Sequence, residues 1–104
     1  MEIQHTCKDF DLTDSIRIYS EEKMKKACAM LDGLQGIRMH VTYETIGHAN
    51  HGDNQGVNVV LFVPNSEPLK AMEATNDLYA TIDLASKDIE RQVKKYRDRL
   101  TTHR

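Results

Sequence analysis

The sequence has few of the features that mark membrane, secreted or disulfide-stapled proteins. It has no tryptophan and two prolines, and aromatic residues make up 6% of its 104 residues. No apolar run approaches the roughly 20 residues that a membrane-spanning helix needs, and the first ten residues lack the basic segment and apolar run of a secretory signal. The only cysteines, Cys7 and Cys28, make no disulfide framework. These absences predict a cytoplasmic protein with reduced thiols.

The usual signatures of catalysis are also missing. The sequence has no phosphate-binding loop, nucleophile elbow or glycine-rich dinucleotide motif. His5 and Cys7 share one face of a predicted strand, but a Cys/His nucleophile pair needs an orienting third group and an oxyanion site. We therefore expect a partly buried histidine beside a packed thiol, and no enzyme, cofactor or small-molecule substrate.

One polar, glycine-rich stretch, residues 47–56, holds a weak metal-binding pattern. His48, His51 and Asp53 lie close together there, but a zinc site needs three or four ligands held in place. The stretch is predicted to be a solvated loop without a metal, and contact of its histidines with RNA is the alternative.

Charge is distributed unevenly along the chain. The net charge is −2, yet residues 1–74 hold seven basic against eleven acidic side chains, whereas residues 75–104 hold seven against five. An uneven charge distribution of this kind is typical of a protein that binds an anionic partner with one surface.

Hydrophobic periodicity predicts a single domain, residues 1–104, with the element order β-α-β-β-β-α. Apolar residues alternate with polar ones near 3–7 and 37–43, residues 57–63 form a third strand, and a short fourth strand covers 69–74. Helical spacing runs from 13 to 33 and from 75 to 100. A helical crossover makes the first two strands parallel. The fold class is therefore an α+β two-layer sandwich, a four-stranded mixed sheet with both helices on one face.

The second helix has one apolar face and one cationic face. Its apolar residues recur at spacings of three and four from Leu78 to Leu100, and its basic residues lie on the other side. Together with the outward lysines of the first helix, they would form a ridge that binds RNA phosphates. The candidate RNA-binding residues are Arg17, Lys23, Lys25, Lys26, Tyr79, Lys87, Arg91, Lys94, Lys95 and Arg97. The alternative is an ordinary solvated helix face, whose bases pair with acidic neighbours.

Three segments resemble the family of bacterial hibernation-promoting factors and ribosome-associated inhibitor A. Residues 76–83, Asn-Asp-Leu-Tyr-Ala-Thr-Ile-Asp, resemble that family's Asp-Met-Tyr-Ala-Ala-Ile-Asp. Residues 88–95 are similar to its Lys-Leu-x-Arg-Gln-Leu-x-Lys, and residues 12–17 to its Ile-Thr-Glu-Ala-Leu-Arg. The resemblance covers nearly the whole chain, and residues 47–56 are its weakest stretch.

The resemblance implies a partner and an activity. Family members bind the small ribosomal subunit in the channel used by messenger RNA and transfer RNA, and they silence translation in resting cells. This chain looks like the short form, without the dimerisation domain of long members, and we expect it to be monomeric away from the ribosome. The ribosome-facing helices of the family are usually more basic than the helices of this chain. This chain therefore departs from the family pattern at the predicted RNA surface.

Two further hypotheses stay open beside ribosome hibernation. In the second hypothesis, the chain is a protein-interaction module of the same fold that has lost ribosome affinity. In the third, it is a general binder of double-stranded RNA. Tyr79, within the motif, has two interpretations as well: a contact near RNA, or a packing residue where helix and sheet meet.

Overall fold

The computed structural model describes residues 1–9, 11–46, 52 and 54–102, and its elements follow the predicted order. The strands are β1 (Glu2–Lys8), β2 (Arg38–Thr45), β3 (Gln55–Phe62) and β4 (Leu69–Thr75). The helices are α1 (Asp14–Ala27) and α2 (Leu78–Thr102). Among the described residues, no helix is both long and apolar enough to cross a membrane.

The four strands form one mixed sheet in the order β1-β2-β3-β4. β1 lies parallel to β2, with Ile3 opposite Met39, as the helical crossover predicts. The β2–β3 and β3–β4 pairs are antiparallel, and Val59 of β3 faces Val41 on one side and Ala71 on the other. The predicted fold class is confirmed.

The start of α1 is as predicted, but its end is not. The Thr13 side chain accepts a hydrogen bond of 3.2 Å from the Ile16 backbone N–H, which caps the helix. The helix ends at Ala27 rather than near Gly33, because the chain tightens into a short 3-10 turn, Ala29–Leu31. Gly33 follows with a φ of +90°, a left-handed conformation that glycine adopts without strain.

The apolar stripe of α2 is buried along most of its length. Ile82, Ala85, Ile89 and Val93 are each fully buried, so this face of the helix packs on β3 and β4 as its spacing predicts. The stripe ends before Leu100, which is 42% exposed. The long helix thus presents its opposite, polar face to solvent.

The two faces of the sheet differ in what covers them. One face carries the large core side chains Met39, Val41, Tyr43 and Leu61, all at most 2% exposed, and both helices pack over it. On β1 and β2, polar residues alternate with inward ones and point away from the helices. The same face of β3 and β4 also carries Val60, Phe62 and Met72. That second face of the sheet has no covering element among the described residues.

The predicted loop at residues 47–56 is shorter than expected. β3 begins at Gln55, which pairs with Thr45 and Thr75, so the end of the glycine-rich stretch belongs to the sheet. Close packing also explains the glycine at position 56: a Cβ there would lie 3.0 Å from Ile46 Cδ1, so only glycine fits without a shift. His48, His51 and Asp53, the weak metal pattern, lie outside the described residues.

Candidate nucleic-acid interface

α1 and α2 lie side by side on the sheet and are joined by one cluster of polar and aromatic side chains. The Tyr19 hydroxyl donates a hydrogen bond of 2.5 Å to Asp83 Oδ1. Lys23 Nζ lies 3.5 Å from the same oxygen and 5.5 Å from the centre of the Tyr19 ring. The Tyr79 ring meets Tyr19 edge-on, with 4.9 Å between ring centres. These four side chains form the helix clamp.

The helix clamp contains Tyr79, for which the sequence predicts either a contact near RNA or packing where helix and sheet meet. Its ring is 39% exposed and packs against Tyr19, so it serves as a packing residue between the helices. Its contact with RNA stays a prediction. The pKa of Tyr19 is raised to about 12, first because its hydroxyl donates to the Asp83 carboxylate.

Beside the helix clamp, the two helices enclose a groove of about 260 Å³. Three lysines line this groove, Lys23, Lys26 and Lys87, together with the carboxylates of Asp83 and Glu90. We call it the cationic groove. Lys26 and Lys87 are exposed, and no carboxylate oxygen of the described residues lies within 4.0 Å of either ammonium group. Two lysines from different helices are therefore available for one polyanion.

Some predicted cations are held by carboxylates instead. Arg17 lies 3.2 Å from Asp14 and 4.0 Å from Glu21. Arg91 is hydrogen-bonded to Asp88, which also accepts a bond of 3.1 Å from Gln92. Such pairs are exposed and individually weak, so they lower the local positive potential without removing the side chains from solvent.

The remaining candidates extend the cationic surface unevenly. Lys94 and Lys95 are exposed on α2, one turn beyond Arg91, and have no ion pair within the described chain. Arg97 is half-buried. Lys25 lies apart from the cationic groove, where it lines a separate recess with Cys28 and Leu31. Of the ten predicted residues, the structure brings Lys23, Lys26 and Lys87 together in the groove and places Lys25 apart from them.

Sequence reasoning anticipated ion pairs between neighbours on one helix but missed the contact of Asp83 with the other helix. Asp83 is part of the recognised motif, but its bond to Tyr19 joins residues 64 positions apart and no local pattern shows it. Within the described residues, no group of three or more His, Cys, Asp or Glu side chains is arranged to hold a metal.

His5 is held by hydrogen bonds to Glu21 and Tyr43, and Cys7 packs against the core. His5 Nε2 lies 2.8 Å from Glu21 Oε2, and its Nδ1 lies 2.8 Å from the Tyr43 hydroxyl. Burial raises the pKa of the Cys7 thiol, with Asp11 adding to the effect, which keeps the thiol protonated and unreactive. The predicted half-buried histidine is confirmed.

The chain is a two-layer α+β domain with a lysine-lined groove between its two helices. The chain matches the family model described as sigma 54 modulation protein / S30EA ribosomal protein over residues 3–101, and it belongs to this family. It is 34% identical over 90 residues to the ribosome hibernation promotion factor of Staphylococcus aureus (strain COL), which covers 86% of this chain. The chain spans 44% of that relative's length.

Two solved structures share the fold. The N-terminal domain of Thermus thermophilus Protein Y superposes with a TM-score of 0.77 at 27% identity, covering 92% of this chain and 99% of that one. A ribosomal subunit interface protein from Coxiella burnetii has a TM-score of 0.74 at 24% identity, with coverages of 94% and 99%. The second likeness concerns the fold alone.

Proposed function

We propose that this domain is a ribosome hibernation factor that binds the small ribosomal subunit in the channel for messenger RNA and transfer RNA. Family membership and the relative's name support the ribosome as partner. The cationic groove supports the proposal at the level of residues. There, Lys26 and Lys87 project from two helices without carboxylate partners among the described residues. The protein acts in the cytoplasm, where ribosomes are.

The proposed mechanism is occlusion and involves no covalent step. A rigid surface with several cations binds RNA by releasing the counterions condensed on its phosphates. The helix clamp fixes the spacing of α1 and α2, so the lysines of the cationic groove meet the backbone as a preformed pair. Lys94 and Lys95 extend the contact along α2. Once anchored, the folded domain fills space that messenger and transfer RNA need.

Co-sedimentation with purified small subunits at several salt concentrations tests the site. The variant Lys26→Ala/Lys87→Ala removes both unpaired lysines of the cationic groove. Because each phosphate contact contributes about one unit to the log–log salt slope, the slope should fall by about two units. The control Lys25→Ala/Lys70→Ala removes two other exposed lysines that lie outside the cationic groove. Equal losses in both double variants would contradict the groove as the anchor.

The channel itself is tested by competition. Small subunits loaded beforehand with messenger RNA and initiator transfer RNA should retain much less of the protein than empty subunits. Undiminished binding to loaded subunits would place the protein elsewhere on the ribosome and would remove the occlusion mechanism.

The second candidate function is a protein-interaction module of the same fold. The ion pairs of Arg17 and Arg91 favour it, because they reduce the positive potential of the helical face. A module of this kind would remain at the top of a sucrose gradient of resting-cell extract, whereas a hibernation factor would travel with ribosomal particles. A general binder of double-stranded RNA, the third hypothesis, would bind isolated duplexes as tightly as ribosomes.

A further inference from the structure

The uncovered face of the sheet carries a small recess on the side of the molecule opposite the cationic groove. Cross-strand pairing places Glu2 beside Arg38 and Arg38 beside Phe62. The next row on the same face places Gln4 beside His40. These five residues, together with Met39, line a space of about 140 Å³, which is smaller than the ~300–1,000 Å³ of pockets that enclose whole small-molecule ligands. The recess fits one planar group.

Arg38 is held in place within this recess, but its hydrogen-bonding groups are unused. Its guanidinium carbon lies 4.4 Å from the centre of the Phe62 ring, a cation–π contact that fixes the plane of the side chain. Arg38 is exposed and makes no hydrogen bond or ion pair with any described residue. A guanidinium fork that is oriented and unpaired is prepared for an external acceptor.

The surrounding groups narrow the chemistry of that ligand. The Glu2 carboxylate next to Arg38 repels a bare phosphate or carboxylate. The ligand must therefore offer hydrogen-bond donors as well as acceptors. Gln4 is exposed, makes no side-chain hydrogen bond to the described residues, and supplies both kinds of group. His40 is oriented by a bond of 2.7 Å between its Nε2 and Thr6 Oγ1, and its ring adds a second flat surface.

We propose that this recess, formed by Glu2, Gln4, Arg38, His40 and Phe62, binds an unpaired guanine base of RNA. Single-stranded bases are recognised in general by stacking on aromatic rings or arginine planes together with bonds to their edges. Guanine presents O6 and N7 acceptors that match an arginine fork, and its N1–H and N2 amine donors match a carboxylate. The inference rests on the proposed function only in taking RNA as the partner, and it concerns the opposite face of the domain.

Amide chemical-shift mapping with guanosine 5′-monophosphate tests this inference directly. Saturable shifts are expected at the ends of β1, β2 and β3 around the recess. Cytidine, uridine and adenosine monophosphates should shift these amides much less, and ribose 5-phosphate, which lacks a base, should not shift them. Shifts confined to the helices, or equal shifts from all four nucleotides, would overturn the guanine assignment.

Two substitutions make the test specific to the recess. Arg38→Lys keeps the charge but loses the planar fork, and it should weaken guanosine monophosphate binding about ten-fold. Lys70→Ala removes a cation from the same sheet face outside the recess and should leave binding unchanged. An Arg38→Lys variant that binds the nucleotide as tightly as the native protein would also overturn the inference.

The outcome is separable from that of the proposed function. The Lys26→Ala/Lys87→Ala variant should retain the nucleotide-induced shifts in the sheet while losing small-subunit binding. If the protein binds ribosomes but guanosine monophosphate causes no shifts in the sheet, the guanine inference alone is contradicted. If the nucleotide shifts the sheet amides but the protein does not sediment with ribosomes, the hibernation function is contradicted and the guanine inference is supported.

Discussion

The Tyr19 hydroxyl lies 2.5 Å from Asp83 Oδ1, so a side chain of α1 is bound directly to the last residue of the motif on α2. Asp83 also attracts Lys23 at 3.5 Å, while Tyr79 packs edge-on against Tyr19. Two motif residues, Tyr79 and Asp83, therefore hold the helices together. Under the proposed function, the motif contributes to RNA binding indirectly, by fixing the spacing of the cationic groove.

Replacing the acceptor should change the titration of Tyr19. The pKa of Tyr19 is raised to about 12, with the hydrogen bond to Asp83 as the largest cause. In Asp83→Asn the carboxylate charge is lost, so the pKa of Tyr19 should fall toward its ordinary value of 10. Tyrosinate absorbance recorded against pH, with Tyr19→Phe to identify the signal, measures the shift. Asp88→Asn is the matched control, and an unchanged Tyr19 midpoint in Asp83→Asn would contradict the clamp.

Removing the other carboxylate of the cationic groove should strengthen binding to the small subunit. Glu90 lines the groove with Lys26 and Lys87 and makes no ion pair with the described residues, so Glu90→Gln raises the local potential without breaking a contact. We expect tighter co-sedimentation at low salt and a smaller difference at high salt, because the gain is electrostatic. Glu73→Gln on β4 changes the charge equally outside the groove. Equal effects of the two substitutions would show that net charge, rather than the groove, sets the affinity.

The order of the elements was predictable because each has a clear hydrophobic period. The boundaries of the elements were less predictable, because they depend on packing that the local sequence does not show. Leu31 and Leu34 continue the helical spacing of α1, yet the backbone tightens into a 3-10 turn after Ala27. Gln55 and Gly56 look like loop residues, but pairing with β2 and β4 makes them strand.

The functional surface was predictable only in part, for a related reason. Helical spacing correctly places Lys87, Lys94 and Lys95 on the outer face of α2. It does not show which carboxylates reach the cations from another helix, as Asp83 reaches Lys23. The contact between Arg38 and Phe62 was missed because it depends on the register of two strands, which alternation alone leaves open.

Alkaline pH should destabilise the domain through two buried groups. Burial raises the pKa of Tyr43 from 10.0 to about 12 and that of Cys28 from 9.0 to about 12. Below pH 9 both groups are protonated in the folded and unfolded chains, and their contribution is fully present. Between about pH 9 and 12 the unfolded chain loses these protons while the folded chain keeps them, so the free energy of unfolding falls as pH rises.

Urea unfolding at a series of pH values from neutral to alkaline measures this loss. Tyr43→Phe should lower stability at neutral pH but show a shallower decline above pH 10, because one of the groups with a raised pKa is gone. Val41→Ala is the control, since it weakens the same core without removing an ionisable group. A Tyr43→Phe curve parallel to that of Val41→Ala would be inconsistent with the assigned pKa of Tyr43.

The hydrogen bonds of Tyr43 should also be measurable as a coupling between the sheet and α1. Its hydroxyl donates a bond of 2.8 Å to Ser20 Oγ, and both residues are fully buried. Tyr43→Phe leaves the serine hydroxyl without this partner and should cost about 1–3 kcal/mol. Ser20→Ala in the Tyr43→Phe background should then cost less than it does in the native protein, because the bond is already lost. A double-mutant cycle by urea unfolding gives the difference, and additive costs would mean that the pair contributes no coupling across the helix–sheet interface.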